Sequence, residues 1–315
     1  MTTTTPDTRT MSSAGWAALF VVYIVWGSTY LGIGIVIETF PPLLSGAIRF
    51  FAAAVLLAIV LMIRSGPGVL RVSPRGLGSA TLVGLLLLAG GNGMVSVAEQ
   101  HISTGMAALL VSSVPLWLVV FRRLSGDRPP LATVAGVVTG FTGVALLSLL
   151  SDGGAGSAVG ITVILLAALS WSVGSFLSSR LPMPGNSFVA SVYEMAAGGL
   201  ALLVLSATKG ESFDLSQISM RSWLALAYLI TFGSLIAFTS YVWLLGNAPI
   251  SLVGTYAYVN PAVAVGLGAL VLSEPVTWPT LLGGAVIIAG VGLVVSTERR
   301  TKIPVAVTPE PVAVK

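Results

Sequence analysis

Ten apolar runs of membrane-spanning length divide this chain, near residues 16–37, 43–63, 77–98, 103–121, 131–150, 158–178, 187–207, 222–244, 251–272 and 279–296. A helix that crosses the hydrocarbon layer needs about 20 apolar residues. Lipid offers no partner for backbone N–H and C=O groups, so a run of this length satisfies them internally, as an α-helix. Only 8% of the 315 residues are charged, against about 25% in soluble domains, too few to cover a water-soluble surface of this size. The expected fold is an all-α integral membrane protein of ten transmembrane helices in one compact unit, with the lipid bilayer as its surroundings. The 36 glycines suit it, because small residues let helix backbones approach closely in lipid.

Orientation follows from lysine and arginine in the short loops. With the N-terminus inside, the inner loops and tails hold Arg9, Arg64, Arg71, Arg75, Arg122, Arg123, Arg128, Arg180, Arg299, Arg300, Lys302 and Lys315. The outer loops hold only Lys209 and Arg221. Both termini are therefore predicted to be cytoplasmic: a tail over 1–15, and a second over 297–315 that is Pro/Val-rich from Thr301 and expected to be disordered. "MTTTTPDTRTMSSAG" has no charged n-region followed by a short apolar h-region, so no cleavable signal is evident. The formal net charge of +4 is spread over these loops rather than one face, which argues against a nucleic-acid partner. There is no cysteine and one histidine, His101. Disulfides, thiolate chemistry, Cys-based metal sites and a His cluster are excluded, and neither metal nor cofactor is expected.

The two halves resemble each other. "SSVPLWLVVFRRLSGDRPPLATVAGVVTGFTG" at Ser112–Gly143 is similar to "AYVNPAVAVGLGALVLSEPVTWPTLLGGAVIIAG" at Ala257–Gly290. Pro115 pairs with Pro261, Asp127 with Glu274, Gly136 with Gly283 and Gly143 with Gly290. Trp26 pairs with Trp171. The predicted organisation is a five-helix repeat over 16–150, an extracytoplasmic linker over 151–157, and a second repeat over 158–296. Five is odd, so the second copy enters from the opposite side. Inverted repeats of this kind build carriers whose site lies near the midplane, between the halves.

"WGSTY", "PPLLSGAIRF", "GNGMVSVAEQHISTGMAALLVSSVPLW" and "YAYVNPAVAVGLGALVLSEP" occur in order along the chain. Together they resemble the drug/metabolite transporter superfamily, in its EamA-type branch, over about Trp16 to Val295. The resemblance implies a ten-helix, two-repeat efflux carrier for small metabolites in the inner (plasma) membrane. It does not identify a substrate.

Polar residues in lipid-length helices are candidates for the site. The first run carries "WGSTYLGIG", Trp26–Gly34, and the sixth the matching "SWSVGSF", Ser170–Phe176. Such polar, Gly-containing stretches are tolerated where protein or an aqueous cavity covers them. Trp26, Ser28, Thr29, Tyr30, Trp171 and Ser175 are therefore expected to line a central cavity, with Asn92, Tyr256, Tyr258 and Asn260. The competing reading is tight helix packing, with the hydroxyls bonded to their own backbone. Arg49 and Glu194 stand mid-helix at repeat-equivalent positions. Charges there are costly and usually paired, so three readings stand: a mutual ion pair, two poles holding a zwitterion, or side chains that snorkel from nearer an end. Pro115 and Pro261 remove a backbone donor and are hinge or static-kink candidates. Glu99 and His101 are a candidate proton-coupling pair, His101 being the side chain that titrates near neutrality, or a solvated loop end. Trp16, Trp223 and Trp278 fit an interfacial belt. Asp127 and Glu274 are family features by the resemblance, and capping explains them equally well.

The functional expectation is a secondary carrier exporting a small amphipathic metabolite, amino-acid-like or otherwise, or a drug, by alternating access. It is not an enzyme, needs no cofactor and can work as a monomer, oligomers remaining open. An intramembrane enzyme would need grouped acids, a His cluster, a metal motif or a nucleophile–base pair, and none appears. A sensor or scaffold would need no paired polar stretches. Without "GxxxxGK[ST]", ATP-driven pumping by this chain alone is not expected.

Overall fold

The computed structural model describes residues 12–126, 128–150, 155–212, 214–248 and 253–300. Their regular structure is entirely helical, with no strand among them. In chain order the long helices are α1 (Ser13–Ile37), α2 (Pro42–Ser65), α3 (Pro74–Ala98), α4 (Thr104–Leu124), α5 (Leu131–Leu150), α6 (Ala155–Ser178), α7 (Ser187–Thr208), α8 (Met220–Asn247), α9 (Tyr256–Val271) and α10 (Trp278–Arg300). Nine contain windows long and apolar enough to cross a membrane, and α9 is the shorter tenth. The ten-helix reading therefore holds, with boundaries moved by a few residues.

Local chemistry sets the starts. Ser12 accepts from Gly15 N, Ser73 from Gly76 N, Ser103 from Met106 N, Asn186 from Phe188 N and Ser219 from Ser222 N, each satisfying an orphan N–H of a first turn. α2 opens instead on Pro42, whose missing N–H costs nothing there. Its first turn is capped from a distance: Glu211 accepts from Leu43 N at 3.2 Å and Leu44 N at 2.9 Å. Glu274 does the same for α4, accepting from Thr104 N at 2.8 Å and Gly105 N at 3.3 Å. A carboxylate at a helix N-terminus is favoured by both the orphan donors and the dipole. Glu274, one of the family-like acids, thus has a capping role; Asp127 lies outside the described residues.

Helix packing respects the repeat. α2 packs on α7 and α5 on α10; α1 packs on α8 and α9, as α6 packs on α3 and α4. Each contact has its counterpart when the halves are exchanged. The α5–α10 seam depends on glycine: a β-carbon at Gly290 would overlap the backbone of Gly140 and Gly136, and one at Gly143 the backbone of Ile287. The outward faces carry Phe20, Ile63, Leu149, Leu200 and Leu281, all exposed apolar side chains, the arrangement expected where lipid and not water is the solvent.

The π-winding of two helices was not anticipated, whereas the interruption of α4 falls beside the kink candidate Pro115. Residues Leu85–Gly93 of α3 and Leu229–Phe238 of α8 are wound as π-helix, and α4 is interrupted at Ser112–Ser113. The first pair occupies equivalent places in the two halves. A π-turn leaves a widened backbone and is often found at functional sites. α1, by contrast, runs unbroken through Trp26–Gly34 for all of its 25 residues.

Candidate functional site

A cavity of ≈ 50 Å³ lies at the centre of the bundle. α1 contributes Trp26, Thr29, Tyr30 and Ile33; α3 Gly91, Asn92 and Val95; α4 Val111; α6 Ala167, Ala168 and Trp171; α9 Tyr256 and Asn260. Both halves share the lining, and the repeat-equivalent Trp26 and Trp171 meet across it edge-to-face at 5.4 Å. Tyr241 of α8 completes a ring cluster, 4.8 Å from Trp26 and 5.9 Å from Tyr256. Tyr241 was missed by the sequence reading. It is one of two tyrosines in an apolar helix, with Tyr228, a signal no stronger than that of many belt residues.

The hydroxyls divide between the two readings of "WGSTY". Thr29 lines the cavity, but its Oγ1 donates to Trp26 O at 2.7 Å. Ser28 points elsewhere: its Oγ donates to Val25 O at 2.8 Å and sits 2.5 Å from Tyr228 Oη. Ser175 is fully buried beneath the ring cluster, donating to Trp171 O and 3.0 Å from Tyr241 Oη. Neither Ser28 nor Ser175 belongs to the lining. The glycines of the stretch serve packing: a β-carbon at Gly27 would strike Val263, at Gly32 Leu229, and at Gly34 Thr104. Cavity and close packing are thus both present, on different faces of one helix.

Asn260 is 4% exposed; the amide orientation that satisfies it has Nδ2 donating to Tyr23 O at 3.0 Å and Tyr256 O at 3.3 Å. Tyr23 also hydrogen-bonds Thr255, tying α1 to the start of α9. The Tyr258 side chain lies outside the described residues. Pro261 sits within α9, and Pro115 follows the Ser112–Ser113 interruption of α4.

The mid-helix charges do not form the ion pair offered above. Arg49 is 4% exposed and Glu194 1%, so snorkelling is also ruled out. Arg49 Nε donates to Ser234 Oγ at 2.9 Å and Nη1 to Asn92 Oδ1 at 3.1 Å. No described carboxylate lies within 4 Å of the guanidinium. Glu194 packs where α7 crosses α3, its backbone against Gly84, and its Oε2 has no hydrogen-bond partner. Equivalence in the repeat placed the two residues symmetrically, but symmetry mates on α2 and α7 need not touch. Both partners of Arg49 come from the π-wound segments, which the sequence did not announce.

Glu99 and His101 also part company. Both carboxylate oxygens of Glu99 are buried without a hydrogen-bond partner. They sit beside Gly34, in electrostatic reach of Glu274. His101 is exposed, and no hydrogen bond or ion pair joins it to Glu99. Near the other end of α4 and α6, a second cavity of ≈ 270 Å³ is lined by Pro115, Arg122, Phe176 and Arg180, with the Arg180 guanidinium 3.6 Å over the Phe176 ring.

These positions give a concrete accessibility expectation. In a chain without native cysteine, single cysteines at Thr29 and Asn92 should react with small water-soluble thiol reagents, and one at Ser28, shielded by Tyr228, should react slowly or not at all. Equal reaction at all three would contradict the placement of Ser28 outside the cavity.

Ten helices in two matched halves around a shared aromatic cavity define a multi-pass membrane protein of the internally repeated kind. The chain belongs to the EamA-like transporter family, whose profile matches it twice, over residues 13–149 and 158–296. It is 40% identical over 274 residues to YedA of Escherichia coli (strain K12), described as an uncharacterized inner membrane transporter, covering 84% of this chain and 86% of YedA. It is 27% identical to a probable terminal-alkyne amino-acid exporter of Streptantibioticus cattleyicolor, covering 92% and 95% of the two chains. The transporter YvbV of Bacillus subtilis (strain 168) is 26% identical over 94% of this chain and 95% of its own. A solved crystal structure superposes with a TM-score of 0.67 at 23% identity, covering 92% of this chain and 99% of that one, which extends the likeness to the fold.

Proposed function

We propose that the protein is a secondary carrier that exports a small amphipathic metabolite across the cytoplasmic membrane by alternating access. The observation that carries this reading is the central cavity: five helices from both halves line it, and repeat-equivalent tryptophans face each other there. A cavity of ≈ 50 Å³ has room for a few waters, each needing roughly 10–15 Å³, but not for a metabolite. Loading then requires the halves to move apart. The basic-loop asymmetry puts both termini in the cytoplasm, and with them the arginine-lined cavity, which becomes the inner vestibule. The opposite end is closed by α4, held to the α9–α10 connection through Glu274 and Thr104.

Amino-acid-like cargo is favoured by aromatic faces with a few amides and hydroxyls, and the naming of one relative as an amino-acid exporter points the same way. Coupling to protons is assigned to Glu99, buried beside the closed end, rather than to a Glu99–His101 pair. Pro115 and Pro261 flank the cavity on α4 and α9, where hinges would be needed. The protein works as a monomer in this scheme, and the transport reading leaves no catalytic role to assign.

Inside-out vesicles offered a panel of amino acids and related small metabolites, with and without a pH gradient, test the proposal. Saturable uptake of at least one compound, absent from vesicles without the protein, is expected. Uptake insensitive to the gradient would remove the Glu99 assignment, and no uptake across the panel would count against the carrier.

A further inference from the structure

Arg49 is a buried guanidinium with a neutral coordination. Its five N–H donors meet the Ser234 hydroxyl, the Asn92 amide oxygen and the Phe50 ring, whose centroid is 4.9 Å away. A charge withdrawn from water is costly unless an opposite charge answers it, and no described carboxylate is within 4 Å. The bond to Asn92 fixes that amide. With Oδ1 taken by Arg49, the Nδ2 donors are what Asn92 has left to present, and Asn92 lines the central cavity. Beside it, packed against Gly91, Trp171 is 8% exposed and has a buried Nε1–H that makes no hydrogen bond of good geometry, the Tyr241 and Tyr256 hydroxyls being its neighbouring polar groups. A buried donor without a well-aligned acceptor is unfavourable in the empty site and is satisfied when a ligand brings one. No aspartate or glutamate lines this cavity.

Resting on the reading of this cavity as the cargo site, we propose that it binds the carboxylate of its substrate. Asn92 Nδ2 and Trp171 Nε1 are the hydrogen-bond donors, and Arg49 is the counter-charge acting through Asn92. The substrate class is a small monoanionic carboxylate whose apolar body rests on the rings of Trp26 and Tyr256. One cation and two neutral donors match a single negative charge. A charge-assisted bond has about twice the strength of a neutral one, so discrimination falls on the acid group and not on the body.

The test compares acids with their primary amides, which keep shape and lose charge: propanoate, 4-methylpentanoate and 3-phenylpropanoate against the matching amides, with inorganic phosphate as the competing anion. Binding is read on the purified full-length protein as saturable change in tryptophan fluorescence and as a rise in melting temperature. At least one acid should bind about tenfold or more tighter than its amide, the difference expected of a hydrogen bond to a charged group. Trp171→Phe should weaken the acid and leave its amide nearly unchanged. Asn92→Asp offers Arg49 an internal carboxylate; it should fold, melt higher than wild type without ligand, and lose the acid preference. Amides binding as well as acids, acid binding that survives Asn92→Asp, or phosphate binding more tightly than every acid would each overturn the proposal. So would failure of all the acids to bind. Vesicle uptake that shows no preference for acids over amides removes the carboxylate site alone, whereas the absence of any uptake removes the carrier reading beneath it.

Discussion

Arg49→Gln is expected to reduce vesicle transport by about ten- to a hundred-fold at normal protein level, and adding Glu194→Gln to restore none of it. Arg49 organises Ser234 and Asn92, on the two π-wound segments, from a third helix. Replacing it removes hydrogen bonds to a charged group, about 1.5–3 kcal/mol, and releases the Asn92 amide from its orientation. Glu194 shares no bond with this network. Its own neutralisation should act through α7 and α3, so the two effects should add, as they do for residues without shared partners. A double variant that transports better than Arg49→Gln alone would show that the two charges meet in a state other than this one. Arg49→Lys separates charge from geometry: lysine keeps the positive charge but not the planar fork that reaches two acceptors at once, and should rescue only weakly.

The largest effect on stability is expected at Gly290. Its Cα packs directly on the Gly140 backbone, and a β-carbon there would overlap main-chain atoms of Gly140 and Gly136 that cannot rotate away. Gly290→Val should therefore part α5 from α10 at a cost of about 3 kcal/mol or more, the upper range for overpacking, seen as a lower melting temperature and loss of the monodisperse species on gel filtration. Gly266→Ala on α9, where a β-carbon meets nothing within 4 Å, is the matched control and should be close to neutral. Equal tolerance at both positions would mean that the α5–α10 crossing is not the close contact described.

Which parts of this were legible beforehand follows from how far each interaction reaches along the chain. The helices were legible because lipid permits little else for a run of about 20 apolar residues. Their starts were fixed by single residues, such as Ser73 and Ser103, that cap their own first turn. Trp26 and Trp171 were found as a pair because the repeat copies position as well as sequence, and the bundle axis brings both copies to the centre. The same logic failed for Arg49 and Glu194, since a symmetry relation fixes equivalence and not distance. Ser28 and Thr29 are neighbours of like chemistry, but roughly 100° separates adjacent residues on a 3.6-residue turn. That angle sends Thr29 to the cavity and Ser28 to Tyr228.

The sequence by itself thus determined the solvent of the fold, the number of helices, the doubled family pattern and most of the polar residues at the centre. These are properties of single segments, or of one segment compared with another. The tertiary structure alone decided which face of α1 meets the cavity, that Arg49 answers to Asn92 and Ser234, that Glu99 lies beside Glu274 and apart from His101, and that two helices widen into π-turns where their partners cross. Each of these depends on contacts between residues dozens to hundreds of positions apart, made in a close-packed interior where a shift of one turn changes every neighbour.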